Sequence, residues 1–268
     1  MLNIQTNSVL TEDYHSHLYT LLLLNENTSF SVDFTNYNTQ SYTFLFLSPY
    51  QRLSIQNPLK AEKLLQFHGD FYCIEYHKEA VACNGLLFNT IYETPYIEVA
   101  ESKYQDIISI LNHMEAEQQN LSDYSDAILK TYLQLILALS SKEKALQIDE
   151  RLLKKKIDNT VFDFQELIEQ NFIQEKSPSF YADTLLVPLN TLSRKTKQQL
   201  GKTPSQLIQE RMILEAKRQL HLTHSSVKEI AHALNFDDEH YFSRYFKKHT
   251  GVSPSKYRTE VGVSIVAK

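Results

Sequence analysis

The chain has 268 residues, 42% of them hydrophobic and 22% charged, with only five Gly and seven Pro. This excludes collagen-like, low-complexity and wholly disordered chains and suits two domains of roughly 150 residues each. The net charge of −5 averages two unlike halves: residues 1–150 hold 8 Lys and Arg against 19 Asp and Glu, a balance of −11, and residues 151–268 hold 19 against 13, a balance of +6. Such an asymmetry implies an acidic domain joined to one that faces a polyanion. No apolar run approaches the about 18 residues that cross a bilayer, and the start shows no basic segment followed by an apolar one. The expectation is therefore a cytoplasmic, non-membrane protein with Cys73 and Cys83 as thiols.

Between residues 14 and 100 lie short segments rich in Tyr, Phe, Val, Ile and Thr: YTLLLL, SFSVDF, SYTFLFL, RLSIQ, KLLQFH, FYCIEY and GLLFN. Asn, Ser, Gly and Pro separate them, which predicts a small antiparallel sandwich or barrel. Its aromatic side chains either fill a core or line an apolar small-molecule pocket. From Glu101 to Ser140 the period becomes helical: Ile107, Ile108, Leu111 and Met114, then Leu121, Tyr124, Ile128, Leu129, Tyr132, Leu135, Ile136 and Leu139. Two helices with such stripes would pack on the sheet, on each other or on a second subunit. SSKEKALQIDERLLKKKIDN reads as a helical connector, and every segment from Thr160 onward reads as helix.

Two sets of metal-ligand types occur in the first half. His15 and His17 form an H-x-H pair, but no Glu or later His completes a ligand set around it. His68, Cys73, His77 and Cys83 lack tight paired spacing, and buried thiols with edge histidines account for them more simply than a redox or metal sensor does. No metal, cofactor or catalytic residue is assigned.

The second half repeats itself. Residues 192–205, LSRKTKQQLGKTPS, align at an offset of 50 with residues 242–255, FSRYFKKHTGVSPS. Ser193 meets Ser243, Arg194 meets Arg244, Lys197 meets Lys247, Gly201 meets Gly251 and Pro204 meets Pro254. Upstream the offset is 49, with Ala182 and Leu185 on Ala231 and Leu234, so a turn differs by one residue.

Each copy reads as helix, turn, helix, stop. Ser226 is an N-cap with Glu229 completing a capping box. Asn235 sits where a left-handed turn residue is needed, and Asp237, Asp238 and Glu239 favour the positive end of the next helix. Gly251 ends that helix, and Ser253 with Pro254 opens another. Phe242, Tyr245 and Phe246 share one face of the second helix, leaving His240, Tyr241, Ser243, Arg244 and Lys247 elsewhere. The first copy supplies Asn190, Thr191, Ser193, Arg194 and Lys197. Arg can bond a guanine edge bidentately, Asn can read adenine, and Lys can neutralise phosphate. Between the copies, PSQLIQERMILEAKRQLHL forms a helix of about 18 residues, roughly 27 Å, a spacer suited to the about 34 Å between successive major grooves. A helical repeat bundle that binds protein is the alternative.

These residues resemble the DNA-binding domain of the AraC/XylS family of bacterial transcription regulators, most specifically over SVKEIAHALNFDDEHYFSRYFKKHTGVSPSKYR, residues 226–258. Asn235 stands where that family usually has Gly, and His240 where it often has Ser. Lys195 and Thr196 replace an apolar and aromatic pair, which shifts the anchoring of that helix onto Leu189, Leu192 and Leu200. The resemblance implies a cupin-like sensor and dimerisation domain over residues 1–140, a helical linker over 141–159, and two helix-turn-helix units over 160–262. The fold class is thus α+β multidomain: a small β-barrel or sandwich with two packing helices, then an all-α double helix-turn-helix. The implied function is sequence-specific regulation of transcription by a non-enzymatic homodimer. Double-stranded DNA is the main partner, with RNA polymerase and an unidentified small-molecule effector as further ones. A ligand-binding or catalytic cupin whose helical half binds protein is the rival reading.

Overall fold

The computed structural model describes residues 2–33, 35–55, 57–74, 85–154 and 159–263. The chain divides into two compact units, one of residues 1–90 and 94–149, the other of residues 91–93 and 150–268. Among the described residues no helix is long and apolar enough to cross a membrane.

The first unit holds the strands β1 (Leu2–Leu10), β2 (Tyr19–Leu24), β3 (Thr28–Val32), β4 (Thr35–Thr39), β5 (Tyr42–Leu47), β6 (Leu53–Ser54), β7 (Leu59–Phe67) and β8 (Tyr96–Val99). Helices α1 (Glu101–Gln119) and α2 (Ser125–Lys154) follow. One antiparallel sheet runs β1-β7-β2-β5-β8 and a smaller one β4-β3-β6. Alternation along the central strands sorts the core into two layers. Tyr19, Leu21 and Leu23 of β2, with Phe44 and Phe46 of β5, face Tyr104, Ile107, Leu111, Leu133 and Ile136 of the helices. Leu22, Leu24, Leu45 and Leu47 face the other way, onto Phe30, Val32 and Leu53 of the small sheet. Covered on both sides, β2 reads as an unbroken apolar run rather than an alternating one.

The structure departs from the sequence reading in three places. β1, β4 and β8 were not anticipated, because LNIQTNSVL and TNYNT are too polar to signal strands and YIEV is only four residues long. FYCIEY does not continue the sheet in its described part. The chain turns at His68, whose carbonyl accepts from the amides of Phe71 and Tyr72 at 3.0 and 3.2 Å, and Tyr72 and Ile74 pack into the helix-side core instead. The proposed ligand set around Cys73 therefore loses its strand geometry, and His77 and Cys83 lie outside the described residues. His15 and His17 are exposed ahead of β2, and no group of three or more metal-ligand side chains occurs among the described residues.

The second unit contains α3 (Asn159–Asn171), α4 (Pro178–Thr184), α5 (Leu189–Leu200), α6 (Pro204–Leu222), α7 (Val227–Ala233), α8 (Glu239–Thr250) and α9 (Pro254–Val261). The 19-residue α6 is the spine. Its Leu207, Ile208, Met212, Ile213, Ala216 and Leu220 are buried, and helices from both repeats pack on it. Arg211 of α6 bonds Glu169 of α3 at 2.8 Å and lies 4.0 Å from the Phe172 ring centroid. On the other repeat, Arg258 of α9 donates to the Leu220 and Ser225 carbonyls at 3.1 and 2.6 Å.

Candidate nucleic-acid interface

Both repeats fold as a short helix, a turn and a longer helix: α4 with α5, and α7 with α8. α7 opens on the expected capping box, the Ser226 hydroxyl accepting from the Glu229 amide at 3.2 Å while the Glu229 carboxylate accepts from the Ser226 amide at 2.6 Å. Those donors hold the Glu229 carboxyl below its ordinary pKa. The two turns superimpose bond for bond. In the first, the amides of Leu185, Leu186 and Val187 donate to the carbonyls of Tyr181, Asp183 and Ala182 at 3.0, 3.1 and 3.0 Å. In the second, the amides of Leu234, Asn235 and Phe236 donate to Ile230, His232 and Ala231 at 3.0, 3.0 and 2.9 Å. Leu186 and Asn235 occupy the same left-handed position, with φ of 54° and 55°. Asn tolerates that conformation, whereas Leu adopts it only at a cost in backbone strain.

The second helices also correspond. α8 is capped by Asp238, whose carboxylate accepts from the Tyr241 amide; α5 starts after Pro188 without a side-chain cap. Gly201 and Gly251 end them with φ of 71° and 81°. No atom lies within 4 Å of a Cβ placed on Gly251, so backbone conformation and not crowding requires glycine there. Each helix is followed by a capped, proline-initiated one: Thr203 with Pro204 for α6, and Ser253 with Pro254 for α9.

What anchors the two helices differs. In α8, Phe242 and Phe246 are fully buried, with ring centroids of Phe236 and Tyr257 at 5.2 and 5.5 Å. Tyr245 packs on Phe236 at 5.3 Å, and burial pushes its hydroxyl pKa well up. In α5 the equivalents are Leu192 and Thr196, both fully buried. The Thr196 hydroxyl is satisfied by the Ser193 carbonyl at 3.2 Å, and Lys195 reaches the Thr160 hydroxyl of α3 at 2.8 Å. The expectation that Leu189 anchors α5 is corrected: it is 39% exposed, because the first residue of the helix lies beside the turn rather than over the core. Leu200 is half-buried.

The opposite faces carry the predicted polar residues. Asn190, Arg194 and Lys197 of α5 are exposed, with Thr191 and Ser193 half-buried. His240, Tyr241, Arg244 and Lys247 of α8 are exposed, with Ser243 half-buried. Spacings of three and four residues put each set on one helix face. The side chains of Arg194, Lys197, Arg244 and Lys247 form no ion pair or hydrogen bond with any described residue. Arg211, Arg218 and Arg258, in contrast, are spent on internal carboxylates and carbonyls. Two equivalent helix faces thus offer uncommitted cations flanked by hydrogen-bonding side chains.

Residues 181–260 match the model of a family described as a helix-turn-helix domain. This region is similar to helix-turn-helix domains of bacterial transcription regulators. The HTH-type transcriptional activator RhaS of Pectobacterium carotovorum subsp. carotovorum (strain PC1) is 35% identical over 91 residues, 34% of this chain and 33% of that protein. RhaS of Enterobacter sp. (strain 638) is 28% identical over 163 residues, 60% of this chain and 56% of that protein. The chain therefore spans between a third and a little over half of the length of these curated relatives. A crystal structure described as a transcriptional regulator (AraC-type DNA-binding domain-containing proteins) from Chromobacterium violaceum is similar over 39% of this chain and 93% of its own, at 26% identity and a TM-score of 0.36. The helix-turn-helix match runs through both motifs, from within α4 to within α9.

Proposed function

We propose that the protein is a sequence-specific DNA-binding transcription regulator in which α5 and α8 of each subunit enter two successive major grooves. The reading rests above all on the duplicated face: the same turn, the same Ser-Arg pair and the same uncommitted Lys recur in both motifs. Asn190, Thr191, Ser193, Arg194 and Lys197 read the first groove, and His240, Tyr241, Ser243, Arg244 and Lys247 the second. Residues 160–262 are assigned to DNA binding, 141–159 to the linker, and 1–140 to sensing and dimerisation, with a small-molecule effector acting through that part. An apolar stripe exposed on α2 supports a homodimer. The acidity of the first half discourages contact with the phosphate backbone and leaves the basic half to make it.

Selection of binding sites from random DNA with the full chain tests the reading. The expected result is one continuous site of about two helical turns per subunit, bound with an affinity that falls steeply with salt as counterions are released. Recovery of no preferred sequence, or a salt-independent affinity, would reject it.

A further inference from the structure

Arg211 of α6 holds α3, the helix ahead of the first motif, and Arg258 of α9, the helix after the second, holds the end of α6. Both repeats pack on α6, and a rotation of either about it would change the phase between α5 and α8. A contact off the axis of α6 opposes such a rotation. The described residues supply one from outside both repeats: Lys176, in the segment between α3 and α4. Its ammonium donates to the carbonyl of Asn235, the left-handed residue of the second turn, and sits 3.8 Å from the ring centroid of Phe236. Phe236 in turn packs on Tyr241, Phe242 and Tyr245 of α8, with centroids at 5.9, 5.2 and 5.3 Å. A residue beside the first motif thereby grips the corner from which the second recognition helix starts. The contact is also one-sided, because the position equivalent to Lys176 in the second repeat is Ser225.

We infer that Lys176 is a positioning residue that fixes the angular phase of α8 relative to α5, and so sets how strictly the protein measures the spacing between its two half-sites. The inference rests on the DNA-binding reading above and deepens it. The Asn235 carbonyl and the Phe236 ring face recognise a cation with both a donor and a flat electrostatic fit, which Lys and Arg provide and Met does not. A freer α8 costs more to order on the correct site, and loses less when the second half-site is moved by the about 3.4 Å of one added base pair.

The test uses the full chain and the selected site, together with versions carrying one base pair more or fewer between the halves. For the wild-type protein the ratio of affinities, correct spacing over altered spacing, is expected to be large. K176M is expected to lower that ratio about fivefold, the worth of one exposed cation–π contact with its hydrogen bond, and K176R to restore it. Thermal midpoints of the three proteins separate this from a purely structural role, which would move the midpoint and leave the ratio alone. A ratio unchanged in K176M overturns the inference, and so does a K176R protein that behaves as K176M does. A wild-type chain that selects no site defeats the DNA-binding reading itself, a result seen before any variant is made.

Discussion

Arg194 and Arg244 stand at equivalent places on exposed helix faces without internal side-chain partners; in the function proposed above they read bases, and Lys197 and Lys247, near the next turn, meet phosphate. Arg244→Ala should cost about 1–3 kcal/mol at its cognate base and relax preference there. Lys247→Ala should weaken binding evenly across sequences and reduce the salt slope by about 1. Binding curves on cognate and single-substitution sites at several salt concentrations distinguish the two; equal behaviour of both variants on all sites would contradict these roles. A second residue-scale prediction concerns Leu186, 91% exposed at a φ of 54°. It makes no use of its side chain in the core and bears left-handed strain that Asn235 largely escapes. Leu186→Asn should raise the stability of the second unit by about 0.5–1 kcal/mol, measured as a shift in denaturant midpoint, and an unchanged or lowered midpoint would show the strain to be relieved elsewhere.

Elements with apolar faces on two sides report where they belong. α2 buries Leu129, Leu133, Ile136 and Leu137 against the sheet, yet Leu135, Leu139 and Leu146 on the same helix, and Tyr124 and Leu121 just before it, are 40–75% exposed. Residues 131–141 carry no charge, with Asp126 and Lys130 paired at one end and Lys142 and Glu143 at the other. A second copy of α2 packed antiparallel would cover the leucines. Leu135→Glu with Leu139→Glu should convert the proposed dimer to a monomer while leaving the circular dichroism of the chain unchanged, as both positions are already partly in water within one subunit. Sedimentation velocity reads the outcome, and a wild-type protein that is monomeric at micromolar concentration would sink this use of the stripe.

At the scale of the molecule, the acidic first unit pairs one of its carboxylates with a buried lysine. Lys63 of β7, with a side chain only 5% exposed, bonds Glu115 of α1 at 2.6 Å and the Thr6 hydroxyl of β1 at 2.8 Å, and Thr6 donates to Glu115 at 2.7 Å. Burial by itself would raise the Glu115 pKa, but the Lys63 ammonium and the Thr6 hydroxyl hold it below its ordinary value. A carboxyl depressed in the folded state contributes stability above its unfolded pKa and loses it as the pH falls through the folded one. The first unit should therefore weaken on acidification below about pH 4.5. Glu115→Gln should cost about 1–2 kcal/mol at neutral pH, partial exposure of the pair tempering the full buried-pair penalty, and should flatten the acid limb of the stability profile. An acid limb of the same steepness in Glu115→Gln would assign the pH dependence to other groups.

Much of this protein was legible in the order of its residues because the signals are local. Ser226 with Glu229, Asn235, Gly251 and Ser253 with Pro254 each act within a turn or two of backbone, so caps, the left-handed corner and the helix stops follow from neighbouring residues, and duplication made the pattern hard to mistake. YTLLLL declared a strand for the same reason. Strand pairing is not local. β1 and β4 are polar segments that become strands through the partners they meet, Thr6 opposite Lys63 and Asn38 opposite Ser29, and the described part of FYCIEY turns away at His68. The ion pair of Lys63 and Glu115 and the reach of Lys176 to Asn235 join residues 52 and 59 positions apart. No period or motif predicts such contacts, because a charged side chain acquires its partner only when packing brings distant backbone together and removes the water that would otherwise have solvated both.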